Sequence, residues 1–348
     1  MSLIGQDIDV TNAAEWDDFA ARQPYHNAFQ SAKMLHALKK NHSYTSHGRL
    51  FRHSESSPVI GGYVFQVAEE ISGLASPLAT RAIVNGGPLI SENGMRYCGE
   101  IIEDLLNHAD LQGVYVEIWH GEQRAILNQA LETAGFTFSD HLNFHLDLTQ
   151  PQEELWNAIS KRRRQYIRKN EARLAVRDVT DDADFEQFYT QLQRTYSRVR
   201  VPLLPSKVFK DCWLGGIGWF LLAEHEGQIV ASRVALPFGT TLYDWYAGSD
   251  EAFAALHANE SLVWHVLQRG QREGYHRFDF GGAGKPDKPY GPREFKAKFG
   301  APLQHLGRHR YVLSPIRARI LDAALSLHKK LFSRKIRQET RPAGKEGR

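Results

Sequence analysis

The sequence predicts a duplicated α/β protein of two units of similar size. Three observations carry this. The chain has 348 residues, more than one small core needs and enough for two ordinary domains. Its composition, 42% hydrophobic and 24% charged, suits a globular protein, with no apolar run near the roughly 18 residues of a membrane span. The order of its periodic segments also repeats once along the chain.

Element by element, SAKMLHALKKN has helical spacing, and GRLFRHS and PVIGGYVFQVA alternate as strands across a polar turn. RAIVNGGPLI precedes a helix, RYCGEIIEDLLNHADLQG, then a strand, VYVEIWH, a helix, AILNQALETAG, and a closing strand, HLNFHLDL. The second half runs in like order. It has helix DFEQFYTQLQRTYS, hairpin WFLLAEHEGQIVASRVALPF turning at Glu226-Gly227, strand TTLYDWYAG, helix ANESLVWHVLQRGQREG, and strands HRFDF and HRYVLS. Thr149 to Pro151 ends a strand before the helix of Trp156, which sets expected domains at 1–150 and 151–314. Residues 315–348 read as a basic amphipathic helix and tail, with Ile316, Ile320, Ala324, Leu327 and Leu331 on one stripe. That helix either packs on the body or makes a peripheral contact with an anionic membrane.

Charge is uneven. KRRRQYIRK (161–169) and residues 328–348 each carry a net +6 in a chain of net +3, so the remainder stands at −9. Two local basic surfaces on an acidic body suggest anionic partners at defined places, or a solvated helix face and a tail. With only Cys98 and Cys212 and no CxxC or HExxH, neither a disulfide scaffold nor a metal site is expected. MSLIGQDIDVTNAAEW lacks the basic and apolar regions of a secretory signal, so a cytoplasmic location is expected. GGAGK (281–285) is not a Walker loop. The pattern would need glycine at Asp279 and Ser or Thr at Pro286.

LDLTQPQEELWNAISKRRRQYIRKNEARLAV, TLYDWYAG and YGPREFKAKFGA together resemble the FemAB-type peptidyltransferases within the Gcn5-related N-acyltransferase superfamily. The resemblance spans the second half and, more weakly, HNAFQSAKMLHALKKN. It implies two tandem acyltransferase-like domains, each a mixed, mostly antiparallel sheet flanked by helices, that pass an amino acid from aminoacyl-tRNA, or an acyl group, to an amine of a cell-envelope precursor such as a peptidoglycan peptide or surface polysaccharide. The acceptor would be nucleotide- or lipid-linked, and no cofactor would be tightly bound.

Several residues carry these expectations. Phe295-Lys296 in FKAKFG matches the family's Phe-Lys pair at the reacting carbonyl, where an ammonium would stabilise the oxyanion; Lys298 competes for that role. Asp279 ends a central strand and either faces a ligand crevice or caps loop amides. Asp244 and Tyr246 pose the same choice one strand earlier, between acceptor binding and core. The resemblance makes Lys39 and Arg198 phosphate clamps. Arg162, Arg163, Arg164 and Arg168 form a basic helix that suits the phosphates of a tRNA acceptor stem or marks an interdomain seam. Acyl-CoA is the alternative donor, disfavoured because no glycine-rich turn precedes LHANESLVWHVLQRG.

Overall fold

The computed structural model describes residues 3–39, 44–69, 80–110, 113–121, 124–321 and 323. The first half runs β1 (Ile4–Asp7), α1 (Ala13–Ala21), α2 (Ala32–Lys39), β2 (Tyr44–Arg52), β3 (Gly61–Glu69), β4 (Thr80–Asn85) and β5 (Leu89–Ile90). It continues with α3 (Cys98–Asp110), β6 (Tyr115–Trp119), α4 (Ala125–Thr133), β7 (Thr137–Ser139) and β8 (Leu142–Asp147). The second half runs α5 (Gln152–Ala158), α6 (Lys161–Asn170), β9 (Ala175–Asp178), α7 (Asp182–Val199), α8 (Ser206–Leu214), β10 (Trp219–His225), β11 (Gln228–Phe238) and β12 (Thr241–Ser249). Then come α9 (Ala258–Arg272), β13 (Arg277–Gly282), α10 (Gly291–Ala297), β14 (Leu303–His305) and β15 (Arg308–Val312).

Among the described residues, these strands form two mixed sheets. One has the order β1-β2-β3-β4-β6-β15-β7 with β5 on β3, and the other β14-β8-β13-β12-β11-β10-β9. The halves exchange strands. β8, from the first half, pairs with β13 and β14, while β15, from the second, lies between β6 and β7. A cut near residue 150 therefore divides the chain without separating the sheets.

The side-chain alternation of the exchanged strands explains their placement. Leu142, Phe144 and Leu146 enter the core of the second sheet, beneath α9, and leave Asn143 and His145 on the other face. Tyr311 packs on the first sheet's core, and Arg308 and Arg310 point the opposite way along β15. A further core is shared, with Phe29, Met34 and Leu38 packed among Phe185, Phe188, Phe209 and Phe220.

Glu226 (φ 49°) and Gly227 (φ 76°) are both left-handed, the geometry that a two-residue hairpin turn requires. The feature that positions the site is the parallel pair β12 and β13. They are in register only over Thr241–Tyr243 and Arg277–Asp279, and then part. Beyond that point a wedge opens at the strands' C-terminal ends, where ligand crevices lie in α/β sheets.

The C-terminal stripe needs correction. In the described turn at 315–321 it is Ala318 and Leu321 that pack on Val114 and Tyr115, whereas Ile316 and Ile320 are 74% and 52% exposed. The i, i+3 pair Ala318 and Leu321 faces the start of β6, so the helix is rotated from the anticipated face. Ala324, Leu327 and Leu331 lie outside the described residues. No described helix is long and apolar enough to cross a membrane.

Candidate active site

Strand β13 organises the site. Phe278 and Phe280 are buried in the core, so the alternate residues, Asp279 and Gly281, face the other side. Asp279 is 9% exposed. Its Oδ1 accepts the Gly281 N–H at 2.7 Å, and its Oδ2 lies 3.4 Å from Nε2 of His145, its cross-strand neighbour on β8. The side chain thus caps a loop amide, as one of its two readings expected, and holds a histidine. Burial alone would raise the Asp279 carboxyl. The charge and contact of His145, the Gly281 amide and His120 outweigh burial and hold it well below the usual carboxylate range. Gly281 must be glycine: its φ is +69°, and a Cβ there would lie 3.0 Å from the Tyr243 hydroxyl.

Lys296 approaches the same strand end from α10, a short helix opened by Pro292 at its first turn. Its Nζ donates to the Gly282 carbonyl at 2.8 Å and to the Gly281 carbonyl at 3.2 Å. An ammonium has three N–H groups, and the third has no protein acceptor among the described residues. The residue is half-buried, with its charged end turned inward. Burial lowers its pKa to about 8, against the upward pull of Asp244 and Asp279.

Asp244 pairs with Arg233 across β11 and β12, beside a bulge at Val234/Ala235, and Arg233 is only 2% exposed. Tyr246 sits in an aromatic nest, its ring centroid 5.1 Å from Tyr196 and 5.0 Å from Phe209, and burial raises its phenol. Two histidines lie beside Gly282 at the end of β13. His120 and His141 have ring centroids 5.4 Å apart. Burial pushes their pKa values down to about 3 and about 4, so both are neutral at pH 7.

Asp279, Lys296 and Asp244 are thus brought together electrostatically, with Tyr246 at the edge. The other sequence-derived candidates stand outside this group of contacts. Phe295 is a packing residue, 5.2 Å from Phe299 between ring centroids. Lys298 is exposed at the end of α10, where its carbonyl accepts the Ser160 N–H. Arg198 is paired with Glu251 at 3.5 Å on the surface. The side chain of Lys39 lies outside the described residues.

The basic helix α6 is engaged internally. Arg162 bonds the Tyr166 hydroxyl, Arg164 reaches Asn157 at 2.8 Å, and Arg168 lies 5.2 Å over Trp156. Arg163 pairs with Glu260, in the first turn of α9 and 4% exposed, while Tyr166 stacks on His257 at 3.5 Å. The N-terminus of α9 therefore already holds a carboxylate and is covered by α6.

Sequence reasoning missed His145, Arg233 and Arg308. The only sign of His145 was the polar-apolar alternation in HLNFHLDL, and neither its partner nor its sheet was readable before the strand exchange was known.

Residues 157–296 match the acetyltransferase (GNAT) domain family. No curated protein sequence matches the chain. Among solved structures, FemX superposes with a TM-score of 0.70 at 14% identity, covering 88% of this chain and 97% of FemX. L-PGS from Bacillus licheniformis gives 0.54 at 17% identity, over 95% of this chain and 98% of that one. A tandem GNAT protein from the clavulanic acid biosynthesis pathway gives 0.53 at 12%, over 90% and 99%. Residues 157–296 thus match the GNAT domain model, and the whole chain shares its fold with FemX and with a tandem GNAT protein.

Proposed function

We propose that the protein is an acyltransferase that moves an aminoacyl or acyl group from an activated carrier to an amine of a cell-envelope precursor, with aminoacyl-tRNA as the donor. The observation that carries this reading is Lys296, an inward-turned ammonium with one N–H to spare at the point where β12 and β13 part. When an amine attacks an ester carbonyl, the N–C bond forms, the bond to the carrier oxygen breaks, and the amine proton ends on that oxygen. The spare N–H suits the oxyanion that develops meanwhile, a contribution whose loss typically costs about 10²–10³ in kcat. His145, held by Asp279, suits the transit of the proton.

The donor reading draws on α9. A pyrophosphate seated on a helix N-terminus needs free amides and an uncompensated dipole, and here Glu260 with Arg163 occupies that end. The GNAT family match favours acyl-CoA as the alternative donor. The envelope acceptor follows from the resemblance to FemAB-type peptidyltransferases. In the test, the protein receives charged tRNA or acyl-CoA together with amine-bearing envelope precursors, and products are read by mass shift. The reading expects transfer from charged tRNA and its loss in Lys296→Met with the fold intact. Full turnover in that variant would remove Lys296 from the reaction, and transfer from acyl-CoA alone would reassign the donor.

A further inference from the structure

Arg308 stands out among the arginines lining the first sheet. It lies on β15, the strand that the second half gives to the first sheet, directly opposite Trp119 in register. Its guanidinium stacks over the Trp119 ring at 4.0 Å. It has no ion pair or side-chain hydrogen bond among the described residues, and its Nε is sealed from solvent without a partner. The acid nearby, Glu117, is already engaged by Arg81 at 3.2 Å, Arg310 at 2.7 Å and the Trp119 indole at 2.9 Å. A half-buried arginine with a sealed, unpaired Nε and no ion pair is costly, and it is retained most readily where an anion arrives to complete it.

Its position says where that anion would sit. A methyl group built on Gly282 would lie 3.7 Å from Arg308 Nη2 and 3.3 Å from His120 Nε2. The carbonyl of the same glycine accepts from Lys296 at 2.8 Å. Lys296 and Arg308 therefore flank one residue, one contributed by α10 and the other by the exchanged strand. His120 and His141, both neutral, add no competing charge.

We infer that Arg308 binds an oxyanion, a carboxylate or a phosphate, carried by a substrate that enters the Lys296 site. The inference rests on the proposed acyl transfer for the substrate's identity, but its geometry stands alone. The planar fork of Arg308, backed by an indole, presents paired N–H donors to such a group. The stack on Trp119 holds the fork in place before the ligand arrives.

The test is binding without turnover. Wild-type protein is titrated with N-acetylglycine, inorganic phosphate and, as an uncharged control, N-acetylglycinamide, and binding is followed by the Arg308 side-chain NMR signal and by thermal shift. We expect one anion to bind and the amide not to. Binding should weaken by about tenfold or more in Arg308→Leu and in Arg308→Lys, and persist in Arg310→Gln. Tighter binding of N-acetylglycine identifies the group as a carboxylate, and tighter binding of phosphate identifies a phosphate. If neither anion moves the wild-type Arg308 signal, or Arg308→Leu binds as well as wild type, the inference is overturned. Loss of binding in Lys296→Met but not in Arg308→Leu overturns it equally. Because no acyl donor is present, such a failure leaves the transferase reading intact, and an inactive enzyme would leave this site intact.

Discussion

Lys296→Met should make the protein more stable at pH 7, not less. Burial takes the ammonium from 10.5 to about 8. For a lysine the direction of the shift means that the unfolded chain binds the proton more tightly. The native state therefore bears a cost below pH 8 that is relieved as pH rises from about 8 to 10.5. At pH 7 that cost is about 3 kcal/mol, and at pH 10 about 1 kcal/mol. Methionine removes the cost but also the hydrogen bonds to the Gly281 and Gly282 carbonyls, about 1 kcal/mol each. The balance is a gain of about 1 kcal/mol at pH 7 and a loss of about 1 kcal/mol at pH 10. Urea melts of both proteins at the two pH values measure it. A variant destabilised by about 2 kcal/mol or more at pH 7, or a difference that does not move with pH, would refute the argument that Lys296 is held charged against its environment.

Three further outcomes follow from the same site. Activity should fall as pH rises through about 8, while wild-type stability increases over the same interval, because one proton leaves one lysine; a pH–rate profile set beside melts shows whether the two move oppositely. Arg233→Met should cost about 3–5 kcal/mol by leaving Asp244 buried without its partner, and adding Asp244→Leu should recover most of it. Arg233 also depresses Lys296, so Arg233→Met should move the alkaline limb of the rate profile upward.

The fold was largely legible from periodicity, since the helices and strands that carry the two cores have long, consistent patterns. Short edge elements such as β9 and β14 gave too few residues for a period to show. The strand exchange was not legible at all. HLNFHLDL and HRYVLS read as closing strands, and nothing local to either says which sheet it joins, because β pairing is decided by contacts distant in sequence.

That gap also explains what was found of the site and what was not. Lys296 and Asp279 were visible because each sits in a distinctive local sequence, and the structure places both at the end of β13. His145 and Arg308 arrive on the exchanged strands, so their role exists only in the assembled fold. The α6 arginines illustrate the opposite case. A run of like charge in sequence turned out to be paired piecemeal with Glu260, Tyr166, Asn157 and Trp156, partners from α5, α9 and α6 itself.

The most direct measurement of the central claim is the mass of an amine-bearing envelope precursor after incubation with the protein and charged tRNA, run in parallel with Lys296→Met. Wild type should give an added aminoacyl mass and the variant, whose fold is retained, none. Equal transfer by both proteins, or product only with acyl-CoA, would contradict it.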